Sequence, residues 1–167
     1  KDIYLLSGLG ADKRVYDFID FSGFNVSHID WVEPMDNETI ESYAERLSGQ
    51  IKSNRPILIG VSFGGMLAIE IGKIIPTERL ISSAKVRNDL PLAIRVAGQI
   101  GLHRLFPTRL LMTINPLTYW FFGTRTKEEK EILRSIIKGT DKKFFRWAVD
   151  KIATWKNEQI LDNVTQI

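Results

Sequence analysis

The sequence predicts an α/β fold in which a doubly wound parallel sheet carries an inserted helical segment. Short runs of apolar residues without alternation, such as Ile3–Leu6 and Ile57–Gly60, are typical of strands that are covered on both faces. Helical patterns separate these runs, which favours right-handed crossovers between parallel strands. After residue 86 the alternation stops, and four helical patterns follow one another.

The first strand, Ile3–Leu6, leads into a loop with the sequence Ser7-Gly8-Leu9-Gly10. A dinucleotide-binding turn would need a third glycine at position 13, where this chain has Lys13. We therefore expect this loop to offer backbone N–H groups to a cavity and not to bind a nucleotide. Asp12 is expected to cap a short helix that carries Val15, Tyr16, Phe18 and Ile19.

A second strand, Phe24–Ile29, precedes an amphipathic helix that is expected to begin at Asp36 or Asn37. Its apolar stripe has the spacing of one helical face and consists of Ile40, Tyr43, Ala44, Leu47 and Ile51. The charged positions that are predicted to lie outside are Glu38, Glu41, Glu45 and Arg46. The fourth strand is predicted over Arg79–Ala84.

The segment Pro56–Ile75 lies between the amphipathic helix and the fourth strand. It contains a strand, the motif Gly60-Val61-Ser62-Phe63-Gly64, and an apolar helix that ends before Pro76. A strand, Gly-x-Ser-x-Gly and a helix make the pattern of a nucleophile elbow. Residues two before and two after the serine come close together in such a turn, so Gly60 and Gly64 fit because they lack a Cβ. Ser62 would lie at the tip of a strained turn, with the Phe63 N–H placed to stabilise an oxyanion.

Residues 87–156 are predicted to form a helical cap between the core segments 1–86 and 157–167. The first cap helix is expected to run from Asp89 to about Leu105, and a short aromatic helix is expected over 117–122. Thr126 and Glu129 form a capping box for a helix that ends at Gly139, and Asp141 caps another that runs to about Trp155. Val164–Ile167 has the character of a strand.

The composition excludes several kinds of site. The chain has no cysteine, so disulfides, thiolate metal sites and a cysteine nucleophile are ruled out. Its two histidines, His28 and His103, are far apart in sequence and lack ligand spacing, so we expect neither a metal nor a cofactor. The sequence shows no signal-peptide pattern and no transmembrane stretch, which favours a cytoplasmic location.

The positive charge is concentrated in one segment. Lys85–Lys156 contains 15 Lys and Arg against 6 Asp and Glu, whereas the whole chain has a net charge of only +3. Basic residues spread over helices most often form a solvated face, and an acidic partner is the alternative. Nucleic-acid binding is not expected, because no recognisable module surrounds these residues.

The motifs Ser7–Gly10 and Gly60–Gly64 resemble those of the α/β-hydrolase fold. The chain is similar to the branch of that family in which a helical cap is inserted after the strand that follows the elbow helix. The resemblance covers essentially the whole chain. It implies that Ser62 is the nucleophile and that the backbone N–H groups of Leu9 and Phe63 form the oxyanion hole. The family's first loop is usually His-Gly-x-Gly; here Ser7 replaces the histidine, on which the backbone donors do not depend.

The chain departs from the family at the rest of the triad, whose order is serine, acid and histidine. His28 precedes the elbow and His103 lies in the cap, so neither matches the motif position. Asp89 is a possible acid, although an aspartate before Leu-Pro is also a good helix N-cap. The resemblance therefore implies a C-terminally incomplete hydrolase in which the family's usual acid and histidine are both missing from these residues, and 167 residues that are close to inactive alone.

The resemblance leads us to expect hydrolysis of a small or acyl-chain ester or thioester. Three cap aromatics would line an apolar acyl pocket or simply pack in the core: Trp120, Phe121 and Phe122. A narrower version adds an acidic carrier protein bound at the basic cap, as in small esterases that act on carrier-bound acyl chains. The alternative is a non-catalytic module that binds a ligand or partner through the same pocket.

Overall fold

The computed structural model of the protein describes residues 1–83, 96, 100–113, 119, 126–157 and 164–166. Within this part of the chain, five parallel strands form one sheet in the order β2-β1-β3-β4-β5. The strands are β1 (Asp2–Leu6), β2 (Asn25–His28), β3 (Ile57–Gly60), β4 (Arg79–Ser82) and β5 (Val164–Gln166). The parallel sheet that the alternation predicts is thus confirmed.

Helices pack against this sheet. Residues 1–83 contain a 3-10 helix (Lys13–Tyr16), α1 (Ile40–Ser48) and α2 (Phe63–Ile74). Further along lie a second 3-10 helix (Leu102–Leu105), α3 (Thr108–Leu111), α4 (Lys127–Gly139) and α5 (Lys142–Thr154). Helices α1, α2, α4 and α5 share one apolar core with side chains from β1, β3 and β4, while a smaller cluster around Tyr16 packs with the opposite face of the sheet.

Helix α1 corrects two details of the sequence analysis. It begins at Ile40, whereas the predicted start is Asp36 or Asn37. Asn37 has a positive φ of 58°, which is not helical, and Thr39 caps the helix by accepting the N–H of Ser42 at 3.2 Å. Glu38, predicted to lie outside, is only 6% exposed. Its carboxylate accepts hydrogen bonds from the Met35 N–H and the Arg46 guanidinium, each at 2.8 Å. A buried charge of this kind is tolerated because it is paired.

The first 3-10 helix is capped as predicted, since the Asp12 side chain accepts the N–H of Arg14 at 3.0 Å. The helix is shorter than expected, however. It ends at Tyr16, which is buried, so Phe18 and Ile19 lie beyond it and are exposed.

The last two helices of the predicted cap match their capping signals. Thr126 and Glu129 form the capping box of α4, and the Asp141 side chain accepts the Phe144 N–H at 2.8 Å at the start of α5. Both helices pack into the main core through apolar residues, which are Leu133, Ile137, Phe144, Phe145, Ala148 and Trp155. The predicted aromatic helix over 117–122 and most of the predicted helix over 89–105 lie outside the described residues. The domain boundaries at 86 and 157 remain predictions.

Two kinds of feature are absent from the described residues. None of the helices in this part of the chain has both the length and the apolar character needed to cross a membrane. No group of three or more histidine, aspartate or glutamate side chains among the same residues could hold a metal ion.

Candidate active site

Ser62 occupies a strained turn between β3 and α2. Its backbone has φ 53° and ψ −117°, a conformation that a residue with a side chain rarely adopts. The residue is exposed, and its N–H donates to Ser83 Oγ at 3.4 Å. The chain therefore presents a serine at the carboxyl edge of the sheet, where ligands of open α/β sheets bind.

The two glycines of the motif allow this turn because neighbouring backbone atoms occupy the space that a Cβ would need at Gly60 and at Gly64. A Cβ at Gly60 would lie 2.4 Å from the Gly64 carbonyl oxygen. A Cβ at Gly64 would lie 2.2 Å from the carbonyl oxygens of both Leu6 and Ser7. The close approach that the motif predicts is therefore observed on both sides of Ser62.

The loop after β1 packs directly against the serine. A Cβ at Gly8 would lie 3.2 Å from the Val61 carbonyl oxygen and 3.4 Å from Ser62 Cβ. Leu9, the predicted oxyanion donor, is the next residue and is 5% exposed. Phe63 is the first residue of α2, so its N–H has no acceptor within the helix. The structure thus brings Ser62, Phe63 and the Leu9 loop together, while their catalytic roles remain predictions.

Sequence reasoning missed how Tyr16 supports this site. Its hydroxyl lies 2.8 Å from the Leu6 carbonyl oxygen and 3.2 Å from that of Ile59, so it bridges the carboxyl ends of β1 and β3. Burial raises the pKa of the Tyr16 hydroxyl above its usual value, which keeps it protonated as a donor. Nothing in the sequence distinguishes Tyr16 from an ordinary core aromatic residue.

The candidate residues for the rest of a triad are not assembled in the described part of the chain. The ring of His28 packs on Tyr16 at a centroid distance of 6.2 Å, on the edge strand β2. His103 lies in the second 3-10 helix, where only its backbone is described. Asp89 lies outside the described residues, as do Trp120, Phe121 and Phe122.

A cavity of about 650 Å³ lies between the Leu9 loop and helices α4 and α5. Its apolar walls are formed by Leu9, Ala11, Trp31, Val32, Ile136 and Phe144. Polar side chains also line it, including Asp12 and Arg14, which form an ion pair with Nη2 of Arg14 2.6 Å from Oδ2 of Asp12. This hydrogen bond lowers the pKa of Asp12. The aromatic side chains that line this cavity are Trp31 and Phe144, neither of which the sequence had singled out.

The chain is similar to solved structures, whereas the other two comparisons found no match. No protein-family model matches the chain, and no curated protein matches it. The bottromycin epimerase BotH matches with a TM-score of 0.60 at 12% identity, over 92% of this chain and 65% of that one. MGS-M2, an α/β-hydrolase enzyme from a Medee basin deep-sea metagenome library, matches with a TM-score of 0.54 at 15% identity, over 91% and 63%.

A third match is the RedJ thioesterase from the prodiginine biosynthetic pathway in Streptomyces coelicolor, with a TM-score of 0.51 at 14% identity. It covers 96% of this chain and 66% of that one. At such low identities the likeness is one of fold alone. The chain spans about two thirds of the length of these three proteins.

Proposed function

We propose that this chain, which has the α/β-hydrolase fold, belongs to a serine hydrolase that cleaves a small or acyl-chain ester or thioester through Ser62. The observation that carries the proposal is the strained backbone of this exposed serine, at φ 53° and ψ −117°. Strain of this kind costs about 1–3 kcal/mol and is found mainly at functional sites. The lack of a Cβ at Gly60 and Gly64 permits the close backbone approach on both sides of the serine.

The proposed reaction has two similar halves. Ser62 Oγ attacks the carbonyl carbon while its proton passes to a base, and the carbonyl electron pair moves to oxygen. The backbone N–H groups of Leu9 and Phe63 hold this oxyanion, aided by the positive end of the α2 dipole. Collapse restores the carbonyl and expels the alcohol or thiol, which takes the proton. Water then attacks the acyl-enzyme in the same way and releases the acid.

The base in this proposal is a histidine outside these 167 residues. His28 packs on Tyr16, which supports a structural role for it. Asp89 stays a candidate for the acid that orients the histidine, beside its other reading as a helix N-cap. Without its base, a triad enzyme loses several powers of ten in rate even when the oxyanion hole is intact.

The cavity beside the Leu9 loop supports an apolar acyl group in the substrate. Its volume of about 650 Å³ falls in the range of about 300–1,000 Å³ that is usual for small-molecule sites. Its apolar walls include Trp31, Phe144 and Leu9, the last of which is also a predicted oxyanion donor. Trp120, Phe121 and Phe122 remain predicted pocket residues.

The charge of the cap supports the narrower proposal of an acidic carrier protein. Residues 126–157 contain nine Lys and Arg against five Asp and Glu, and Lys138 and Lys142 are exposed there. A thioesterase among the similar structures is compatible with a thioester substrate. Replacing Lys138 and Lys142 together by glutamate should weaken binding of an acidic acyl carrier protein about tenfold at low salt. The exposed Arg55 offers the control Arg55→Glu, and affinity that is independent of salt would show a merely solvated face.

The proposal is tested by reacting the intact protein with a fluorophosphonate probe and by measuring ester and thioester turnover. Ser62→Ala should abolish both signals, and the control Ser42→Ala, at an exposed serine of α1, should change neither. Retained turnover in Ser62→Ala would end the proposal. If the wild-type protein binds ligand but is neither labelled nor active, the non-catalytic module replaces it. The epimerase among the similar structures indicates that this fold serves more than hydrolysis.

A further inference from the structure

We infer that helix α5 sets the position of the predicted oxyanion donor Phe63, and that Trp147 on this helix is a positioning residue for the reaction. The inference rests on the proposed hydrolase function. It concerns an aromatic cluster that we define as Trp31, Tyr43, Phe63, Phe144 and Trp147, whose rings lie in contact.

The side chain of Phe63 is enclosed by this cluster. It is 0% exposed, and its ring centroid lies 5.8 Å from Trp31, 6.3 Å from Phe144 and 6.0 Å from Trp147. The last two contacts are edge-to-face, with interplanar angles of 74° and 82°. This is the favoured geometry for aromatic pairs. Among the described residues, two of the three rings that contact Phe63 therefore come from α5.

Two tryptophans attach helix α5 and the residue after it to the core through hydrogen bonds. The indole N–H of Trp147 donates to the Glu38 carbonyl oxygen at 2.9 Å. Just after the end of the helix, the indole N–H of Trp155 donates to the buried carboxylate of Glu70 at 2.7 Å. Near its start, Lys143 Nζ lies 3.2 Å from Glu33 Oε1 in an exposed ion pair. Both tryptophans thus attach α5 to the core, but of the two only Trp147 has a ring contact with Phe63 in the described residues.

Tyr43 extends the support to the loop after β2. Its ring centroid lies 4.3 Å from that of Trp147, and its hydroxyl donates to the Val32 carbonyl oxygen at 2.8 Å and accepts the Val32 N–H at 3.1 Å. Trp31, the residue before Val32, also contacts Phe63. The cluster therefore joins α1, α5 and this loop around the first residue of α2.

A shift of the Phe63 ring would displace its backbone N–H, because both are attached to the same Cα at the start of α2. Removing one oxyanion donor costs roughly 10²–10³-fold in kcat, and a misplacement of about 1 Å can cost about 10²-fold. Loss of the Trp147 ring leaves space into which Phe63 can move. We therefore expect a loss of about 10–100-fold in kcat from this substitution.

The test compares Trp147→Leu with Trp155→Leu in the intact protein. Both variants remove an indole that attaches α5 to the core, and Trp155→Leu also deprives the buried Glu70 of a hydrogen bond, so it should destabilise at least as much. Only Trp147→Leu should lower kcat by about 10–100-fold, with KM within about threefold of wild type, whereas Trp155→Leu should keep kcat within about threefold. The conservative variant Trp147→Phe keeps a ring against Phe63 and should recover most of the activity.

A trifluoromethyl ketone inhibitor gives the readout that a purely structural role would not move. It forms a tetrahedral oxyanion on the serine, so its inhibition constant should rise in Trp147→Leu by about the factor by which kcat/KM falls. If Trp147→Leu does not fold, Phe63→Leu removes the other partner of the contact and should show the same losses. Equal kcat losses in the Trp147 and Trp155 variants, or an unchanged inhibition constant, would overturn the inference. Activity that survives in Ser62→Ala would instead overturn the proposed function, which keeps the two failures distinct.

Discussion

The substitution Gly64→Ala tests whether the close backbone approach at the elbow is required. The added Cβ would lie 2.2 Å from the carbonyl oxygens of Leu6 and Ser7, whereas an ordinary contact is 3.4 Å or more. Each oxygen, or the start of α2, must therefore move by about 1.2 Å. No flexible side chain can absorb this movement, because the obstructing atoms belong to the backbone.

The cost follows from what the Leu6 carbonyl holds. It accepts the Val61 N–H at 3.1 Å and lies 2.8 Å from the Tyr16 hydroxyl, so its displacement weakens two hydrogen bonds. Each is worth about 0.5–1.5 kcal/mol net, and overpacking adds about 1–3 kcal/mol. We therefore expect Gly64→Ala to lower the free energy of unfolding by about 2–6 kcal/mol, a large share of the about 5–15 kcal/mol typical of a domain.

Urea denaturation followed by circular dichroism measures this loss, and fluorophosphonate labelling of the folded fraction measures the loss of the elbow geometry. Gly139→Ala is the matched control, because no atom lies within 4 Å of a Cβ built there and the residue ends a helix. It should leave stability unchanged or raise it by up to about 1 kcal/mol. A Gly64→Ala variant with stability within about 0.5 kcal/mol of wild type would refute the reasoning.

Two further predictions concern stability. Arg46→Ala should lower the free energy of unfolding by about 1–3 kcal/mol, because it leaves the Glu38 carboxylate buried without its cation. The loss is smaller than that for a fully buried ion pair because the Arg46 side chain is 30% exposed. An unchanged urea midpoint would contradict this. Burial raises the pKa of Tyr43 to about 12, so the folded state keeps a proton that the unfolded state loses near pH 10. Stability should therefore be intact below about pH 10 and fall by about 2–3 kcal/mol as the pH rises to 12. Tyr43→Phe should reduce this loss, as measured by alkaline denaturation. The same loss in Tyr43→Phe and in the wild type would show that Tyr43 does not cause it.

The sequence predicted the fold well where local signals act alone. Unbroken apolar runs identified the buried strands, and the capping signals at Thr126 and Asp141 identified the starts of α4 and α5. The motif around Ser62 was informative although only part of it is local. The need for glycine at Gly60 arises from the backbone of Gly64 and Gly65, whereas at Gly64 it arises from the carbonyl oxygens of Leu6 and Ser7.

The surroundings of Glu38 and the walls of the cavity were not predicted because they involve contacts between residues far apart in sequence. Glu38 was predicted to be exposed from its helical position, but it lies before the true helix start and its backbone carbonyl accepts the indole of Trp147, 109 residues away. Likewise, the cavity walls come from Trp31 and Phe144, which belong to separate loops and helices. Helical periodicity shows that such residues are apolar or charged, but not which partner covers them.

The central claim is that Ser62 is a nucleophile, and mass-spectrometric mapping of the fluorophosphonate adduct tests it most directly. Trypsin should release Ser62 in the peptide Ser53–Lys73, and fragmentation separates it from Ser53. The account predicts a single adduct on Ser62 in the intact wild-type protein and none in Ser62→Ala. An adduct on another serine, or ester turnover by protein that carries no adduct after exhaustive treatment, would contradict it.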